Sequence, residues 1–167
     1  MTRQARRQVQ QIEFRPGEGA DVIDAMDTIT DAGDGWINLL PGVDPDDAPP
    51  PPTGLMAILS PRFAGVTMGT WAPKSQSRSG IEGAKIGLLH TAGRFAARQL
   101  ASFGIPVPEG WLIRQDNPRR GLILVASLDA SNRDVLDWIV AAGTALCSLD
   151  TSGMWRADVY LPRPGET

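Results

Sequence analysis

The side chain best suited to acid–base chemistry in this chain is His90, the only histidine among 167 residues. Any mechanism that needs an imidazole base must use it. Arg94 and Arg98 follow His90 at intervals of four residues, so on one helix the three side chains would line one rim. With Asp116 and the arginines, His90 would form an enzyme site for a phosphate- or carboxylate-bearing substrate. The alternative is a packing histidine that makes one hydrogen bond.

A second candidate site is the segment 116–120, Asp-Asn-Pro-Arg-Arg, which is typical of a turn between two strands. Arg119 and Arg120 at its tip, with Arg114 on the preceding strand, carry the planar donors that clamp phosphate or carboxylate groups. Asp116 could orient one of these guanidinium groups. The alternative is a solvated turn in which Asp116 makes an Asx turn and the arginines keep a sheet edge soluble.

The polar stretch 72–80, which contains Lys74, is expected to be a loop that could fold over such a ligand. An exposed Trp71 beside Lys74 would offer a flat surface for ligand binding. The alternative for Trp71 is burial, because four of the five tryptophans fall in or at the ends of predicted strands. The candidate ligand-binding residues are therefore Arg94, Arg98, Arg114, Arg119, Arg120, Trp71 and Lys74.

Common cofactor and metal motifs are absent from the sequence. It contains no GxxxxGK[ST], HExxH, GxSxG or CxxC pattern, and the acidic stretch 44–48 lacks EF-hand spacing. The single cysteine, Cys147, cannot close an intramolecular disulfide, and one cysteine with one histidine cannot assemble a structural zinc site. We therefore expect no metal and no cofactor.

Charge is segmented along the chain, which limits the choice of partner. Residues 1–16 carry +3, residues 17–50 carry −9, residues 61–120 carry +6 and residues 121–167 carry −3. Either the acidic and basic blocks dock on each other, or the basic block binds an anionic small molecule or an acidic protein surface. Nucleic-acid binding is a further alternative, but the pI of about 5.1 and the lack of RNP-type aromatic interleaving oppose it.

The first predicted helix is acidic and amphipathic. Over residues 19–33, apolar residues such as Val22, Met26 and Ile29 recur at helical spacing, while four Asp residues lie on the other face. The Asp row is either solvated or docked against Arg94, Arg98, Arg119 and Arg120. A short strand at 36–40 and a connector at 41–52, in which six of twelve residues are Pro, follow.

From residue 64 onward the predicted elements follow the order β, α, β, β, α, β. This ferredoxin-like order places two helices on one face of an antiparallel sheet, an α+β fold. An extra apolar strand at 54–59 needs cover on its second face, and the acidic helix is the obvious candidate. The predicted elements are strand 64–71, helix 81–103 with His90 on it, strands 111–115 and 122–126, a helix N-capped by Ser131, and strand 154–161.

We divide the chain into a basic flexible N-terminus (1–17), an acidic segment with helix, strand and Pro-rich connector (18–52), and an α+β domain (53–167). The N-terminus has no apolar signal-peptide core, and no apolar run approaches about 18 residues. These patterns predict a cytoplasmic protein that has no membrane segment.

Three stretches resemble segments of an uncharacterised family of small proteins from high-GC bacteria. They are GWINLLPGV (35–43), GWLIRQDNPRRGLIL (110–124) and MWRADVYLPR (154–163). The resemblance covers roughly residues 34–162 and implies a shared α+β fold without any assigned activity.

These patterns favour a small binding or interaction protein whose arginine-rich surface meets an anionic ligand or an acidic protein. A small enzyme that uses His90 and a nucleic-acid-binding protein are the alternatives. Self-association into a homodimer is compatible with each of them.

Overall fold

A seven-stranded antiparallel sheet organises the protein, whose computed structural model describes residues 8–44, 46 and 65–162. The strand order across the sheet is β1-β9-β2-β3-β6-β8-β7, and β4 and β5 form a separate hairpin. The strands are β1 (Val9–Phe14), β2 (Trp36–Val43), β3 (Met68–Ala72), β4 (Ser75–Ser77), β5 (Gly80–Glu82), β6 (Lys85–Leu89), β7 (Leu112–Asn117), β8 (Gly121–Val125) and β9 (Thr151–Tyr160).

The described residues form three helices, all on the same face of this sheet. They are α1 (Ala20–Ala32), α2 (Ala96–Ser102) and α3 (Asn132–Leu146). Helix α3 is central, because it contacts both other helices and also β2, β3 and β6. One apolar core fills the space between the helices and the sheet. The predicted α+β class, with an antiparallel sheet, is therefore confirmed.

Helix α3 follows directly from its sequence. The Ser131 hydroxyl accepts a hydrogen bond from the Asp134 backbone N–H at 3.1 Å, which makes Ser131 the predicted N-cap. The predicted apolar stripe of α3 is buried along its whole length: Val135, Ile139, Ala142 and Leu146. On β9 the predicted alternation also holds, with Trp155, Ala157 and Val159 buried.

Helix α1 forms where the acidic amphipathic pattern predicts it, but it does not cover a second face of the sheet. Val22, Met26 and Ile29 are buried, and Gly33, with a φ of 66°, ends the helix. The helix packs against α3 and β2, within the same layer as the other helices. Its Asp row is exposed and makes no salt bridge with any arginine in the described part of the chain. Of the two alternatives for this row, the structure therefore favours a solvated face over docking on the arginine cluster.

The predicted helix over residues 81–103 is wrong for most of its length. Residues 85–89 form β6, in which Ile86 and Leu88 are buried and Lys85 is exposed, a period of two. Helix α2 begins only at Ala96. Glycines at 83, 87 and 93 disfavour a helix in this stretch, since each costs about 1 kcal/mol relative to Ala in a helix interior. His90 therefore follows a strand instead of lying on a helix.

The predicted ferredoxin-like strand order is not confirmed. The elements from β6 onward do follow the order β6, α2, β7, β8, α3, β9, but β2 and β3 separate β9 from β6 within the sheet. Strand β1, which pairs with β9, is not among the elements predicted from the sequence. The predicted strand 54–59 and most of the Pro-rich connector lie outside the described residues. No helix in the described ranges is long and apolar enough to span a bilayer.

Candidate functional site

The candidate site forms where three elements meet at one end of the sheet. Strand β6 is antiparallel to β8, with Leu88 opposite Leu122, so the end of β6 lies beside the start of β8. Strand β7 ends at the same place, because Asn117 pairs with Gly121 across the β7–β8 turn. The connection from β6 to α2 (residues 90–95) and the turn 118–120 therefore come together although they are distant in sequence.

These two segments enclose a cleft of about 510 Å³. Arg94 contributes from the β6–α2 connection and Arg119 from the β7–β8 turn. Neither arginine forms a salt bridge with any carboxylate in the described part of the chain. The full lining is Arg94, Phe95, Asp116, Asn117, Pro118 and Arg119.

Asp116 holds the two walls of the cleft together. Its Oδ1 accepts a hydrogen bond from the Ala96 backbone N–H at 3.0 Å, and its Oδ2 accepts one from the Ala97 backbone N–H at 3.1 Å. Both carboxylate oxygens thus accept hydrogen bonds at the start of α2, where a negative charge is favourable. The expected role of Asp116, to orient a guanidinium group, is replaced by this tie between β7 and α2.

Asn117 shapes the turn that presents Arg119. Its side-chain Oδ1 accepts hydrogen bonds from the backbone N–H groups of Arg119 at 2.9 Å and Arg120 at 3.3 Å, an Asx turn. The predicted Asx turn thus forms one residue later than Asp116. On the opposite wall, the Gln99 side-chain amide donates to the carbonyl oxygens of Ala92 at 2.8 Å and Arg94 at 3.0 Å. Both arginine-bearing segments therefore have a defined backbone.

His90 lies behind the cleft instead of lining it. Its ring is buried, with 7% of the residue exposed, and its Nδ1 accepts a hydrogen bond from the Ala92 backbone N–H at 3.3 Å. The other nitrogen, Nε2, has no hydrogen-bond partner among the described residues. Burial lowers the pKa of His90 below its ordinary value of 6.5, and the nearby negative charge of Asp116 opposes this shift in part. His90 is therefore a neutral imidazole at pH 7.

Phe95 is a feature of the cleft that is not evident from the sequence. Its φ is 63°, the only positive value for a non-glycine residue in the described part of the chain, and 60% of its surface is exposed. An exposed aromatic residue in this conformation is uncommon and costs about 1–3 kcal/mol. The Cζ of Arg98 lies 5.6 Å from the centroid of the Phe95 ring, within cation–π distance. Arg98 therefore lies next to Phe95, which lines the cleft, but does not line the cleft itself.

The remaining sequence-predicted residues lie elsewhere. Arg114 sits at a register irregularity of β7 and its Nη2 lies 3.7 Å from Glu82 Oε1, while Arg120 is outside the cleft lining. Lys74 donates a hydrogen bond to the Leu128 carbonyl oxygen at 2.7 Å, next to a different cavity. Trp71 is fully buried. The expectation of an exposed Trp71 platform is wrong, because Trp71 lies on the side of β3 that faces the helices.

No cluster of three or more His, Cys, Asp or Glu side chains suited to a metal ion occurs in the ranges that the structure describes. A second cavity of about 510 Å³ is lined mainly by residues of the paired strands β2 and β9. Its arginine, Arg156, is already paired with Asp158 at 3.1 Å. The cleft with Arg94 and Arg119 differs from it, since neither of these arginines forms a salt bridge with a carboxylate among the described residues.

Function must be argued from this geometry alone, since comparison of the chain with protein-family models, curated proteins and solved structures finds no match in any of the three.

Proposed function

We propose that the protein binds a small anionic ligand, through a phosphate or carboxylate group, in the cleft between Arg94 and Arg119. The observation that carries this proposal is that two arginines from separate segments line one cavity, and neither has a salt-bridge partner among the described residues. Arginine is suited to this role because its planar donors match both anions bidentately.

The charges near the cleft support an anionic ligand over a cationic or neutral one. Arg94, Arg98 and Arg119 bring positive charge, and the single lining carboxylate, Asp116, already accepts two backbone N–H groups. Phe95 adds an exposed apolar surface beside them, which would contact the non-ionic part of a ligand. A cavity of about 510 Å³ has the size of a small-molecule site, so a small molecule is favoured over an acidic protein surface.

Binding is favoured over catalysis because the residues that line the cleft include no nucleophile and no free base. His90 is buried and absent from the lining, and each oxygen of Asp116 already accepts a backbone hydrogen bond at the start of α2. A general base must come within hydrogen-bond distance of its substrate, directly or through one water molecule. The enzyme hypothesis based on His90 and Asp116 therefore receives less support than ligand binding.

Arg119 and Arg120 provide a matched test, because they are adjacent, carry the same charge and differ in whether they line the cleft. Inorganic phosphate is titrated into the protein and into the Arg119→Ala and Arg120→Ala variants, and binding is followed by the ¹H–¹⁵N chemical shifts of the arginine side chains. We expect Arg119→Ala to weaken phosphate binding about tenfold, which corresponds to about 1.4 kcal/mol for a lost charged hydrogen bond. Arg120→Ala should change the affinity less than about twofold by comparison.

Two results would contradict the proposal. One is the absence of any saturable shift of the Arg94 and Arg119 signals with phosphate. The other is an equal loss of affinity in both variants, because this would mean that phosphate responds to net charge and not to the cleft.

A further inference from the structure

The connection from β6 to α2 (residues 90–95), which carries Arg94 to the cleft, has an unusual backbone. Gly93 has a φ of 85° and Phe95 a φ of 63°, so two of its residues adopt left-handed conformations. Glycine adopts such a conformation without strain, whereas a phenylalanine keeps it only where the surrounding contacts hold it. The position of Arg94, between these two residues, therefore depends on the contacts that fix the connection.

His90 makes the first of these contacts. Its Nδ1 accepts a hydrogen bond from the Ala92 backbone N–H at 3.3 Å, the same spacing of two residues that an Asx turn uses. The Gln99 side-chain amide then donates to the carbonyl oxygens of Ala92 at 2.8 Å and Arg94 at 3.0 Å. Ala92 is thus fixed at both its N–H and its carbonyl oxygen, two residues before Arg94. His90, which does not line the cleft, acts on Arg94 through this backbone.

The hydrogen bond from Ala92 exists only while His90 is neutral. A ring nitrogen that accepts a hydrogen bond carries no proton, so the proton of the neutral ring lies on Nε2. Protonation places a hydrogen on Nδ1 as well, and two N–H donors would then point at each other. With 7% of the residue exposed, the ring has little access to water as a replacement acceptor. The connection must therefore change its backbone when His90 takes up a proton.

The charged surroundings of His90 are simple. Strands β3 and β8, which pair with β6 on either side, contain no ionisable side chain. Burial lowers the pKa of His90, and the charge of Asp116 on β7 opposes this shift in part. The ring is therefore neutral at pH 7 and gains its proton in acid. The other charged residues of the connection and of α2, β7 and α3 are Arg94, Arg98, Arg114, Arg133, Asp134 and Asp137.

We propose that His90 is a positioning residue of the anion cleft and makes anion binding depend on pH. Neutral His90 holds the connection in the form that places Arg94 in the cleft with Arg119, and protonated His90 releases it. This inference rests on the proposed function, because it describes the regulation of the same site. Binding of an anion in the cleft and binding of a proton by His90 therefore oppose each other, although the two ions carry opposite charges.

The sign of this coupling separates positioning from simple electrostatics. An anion that merely lies near His90 would attract the proton and raise the pKa of the ring. An anion that requires the neutral ring lowers this pKa instead, because coupling between two binding events is reciprocal. We expect saturating sulfate to lower the pKa of His90, measured from the NMR signals of the ring in the full chain. Sulfate is the probe because, unlike phosphate, it takes up no proton between about pH 7 and 5.

The affinity for sulfate measures the same coupling from the other side. It is followed on the Arg94 and Arg119 side-chain signals, at pH values where the spectrum is that of the folded protein. We expect sulfate to bind about tenfold more weakly below the pKa of His90 than at pH 7. No other histidine is present in the sequence to titrate in this range.

Two variants at position 90 separate the acceptor from the charge. His90→Asn should bind sulfate at pH 7 nearly as well as the wild-type protein, because Asn Oδ1 can accept the Ala92 N–H, and its affinity should no longer depend on pH. His90→Phe keeps a ring but offers no acceptor, so it should bind about tenfold more weakly at every pH. If His90→Phe does not fold, the wild-type ring titration and His90→Asn decide.

The possible failures are distinguishable. If sulfate does not bind at pH 7, the anion site itself is wrong and this inference falls with it. If sulfate binds but raises the pKa of His90 or leaves it unchanged, the cleft is an anion site and the positioning role of His90 is wrong. The positioning role is equally wrong if His90→Asn keeps the pH dependence of the wild-type protein.

Discussion

His90 links the stability of the protein to pH through its burial at the end of β6. The folded state holds the imidazole neutral, because desolvation lowers its pKa and the opposing effect of Asp116 is smaller. In the unfolded chain the same ring has its ordinary pKa of 6.5. As the pH falls through this value, the unfolded state takes up a proton before the folded state does. Acidification therefore favours unfolding.

We expect the free energy of unfolding to decrease as the pH is lowered below about 6.5, with a slope of at most about 1.4 kcal/mol per pH unit from this single group. The His90→Asn variant should lose this part of the pH dependence, because the sequence contains no other histidine. Urea denaturation of both proteins at several pH values between 7 and 5 measures the difference. Parallel pH profiles for the two proteins would show that His90 is not held neutral in the folded state.

Asp116 acts at the scale of elements, since it connects the edge strand β7 to the start of α2. Replacement by Ala would remove the acceptors for the Ala96 and Ala97 N–H groups and should cost about 0.5–2 kcal/mol of stability. It should also lower the pKa of His90 further, because the neighbouring negative charge that raises it is lost. Chemical denaturation measures the first effect and an NMR titration of the His90 ring measures the second.

Asp134→Ala, in the first turn of α3, removes the same charge and serves as the control for this variant. It should destabilise the protein without changing the pKa of His90. A His90 titration that is unchanged in Asp116→Ala would contradict the electrostatic coupling between the two residues.

The contact between β3 and α3 depends on a glycine. A Cβ atom at Gly69 would lie 2.5 Å from Ile139 Cγ2, whereas a Cβ at Gly87, on the neighbouring strand β6, would lie 3.8 Å from its nearest atom, Thr70 Cβ. We expect Gly69→Ala to destabilise the protein by about 1–3 kcal/mol, because α3 or Ile139 must shift. Gly87→Ala should be neutral or slightly stabilising. Thermal denaturation measures the stability of the two variants. An equal change in stability in both would contradict close packing of α3 on β3.

Elements with complete local signals could be predicted, and those decided by long-range packing could not. Ser131 and the apolar stripe of α3 define that helix without knowledge of the sheet. In the same way, the Asp row and the apolar face opposite it define α1. In residues 81–95 the apolar positions fit both a helix and a strand. The glycines weaken the helix, and pairing of β6 with β3 and β8 stabilises the strand. The same pairing brings the segments of Arg94 and Arg119 to one cleft. Both arginines could be named as candidates from the sequence, but their place in the fold could not be predicted.

At the scale of the whole molecule, the two ends of the described chain are joined in one sheet. Strand β1 pairs with β9 along its full length, and β9 also pairs with β2. The stacked rings of Trp36 and Tyr160, with centroids 4.5 Å apart, lie across this second pairing. At the other side of the helix layer, Trp111 and Trp138 lie 5.5 Å apart, and residues from both regions belong to one core. The unit of cooperative folding should therefore include all three helices and β1.

Phe14, the last residue of β1, tests whether this strand belongs to the same cooperative unit as α3. It is 6% exposed and lies with Leu136 around Gly19, where an added Cβ would meet both side chains. We expect Phe14→Ala to cost about 3–5 kcal/mol, because it leaves a cavity between β1 and the helices. In urea, the unfolding midpoints measured by tryptophan fluorescence and by far-UV circular dichroism should decrease by the same amount. The two unfolding curves should remain coincident, since one two-state transition exposes the whole core. A variant in which fluorescence changes while most of the circular dichroism persists would instead identify β1 and its neighbours as a separately unfolding part of the sheet.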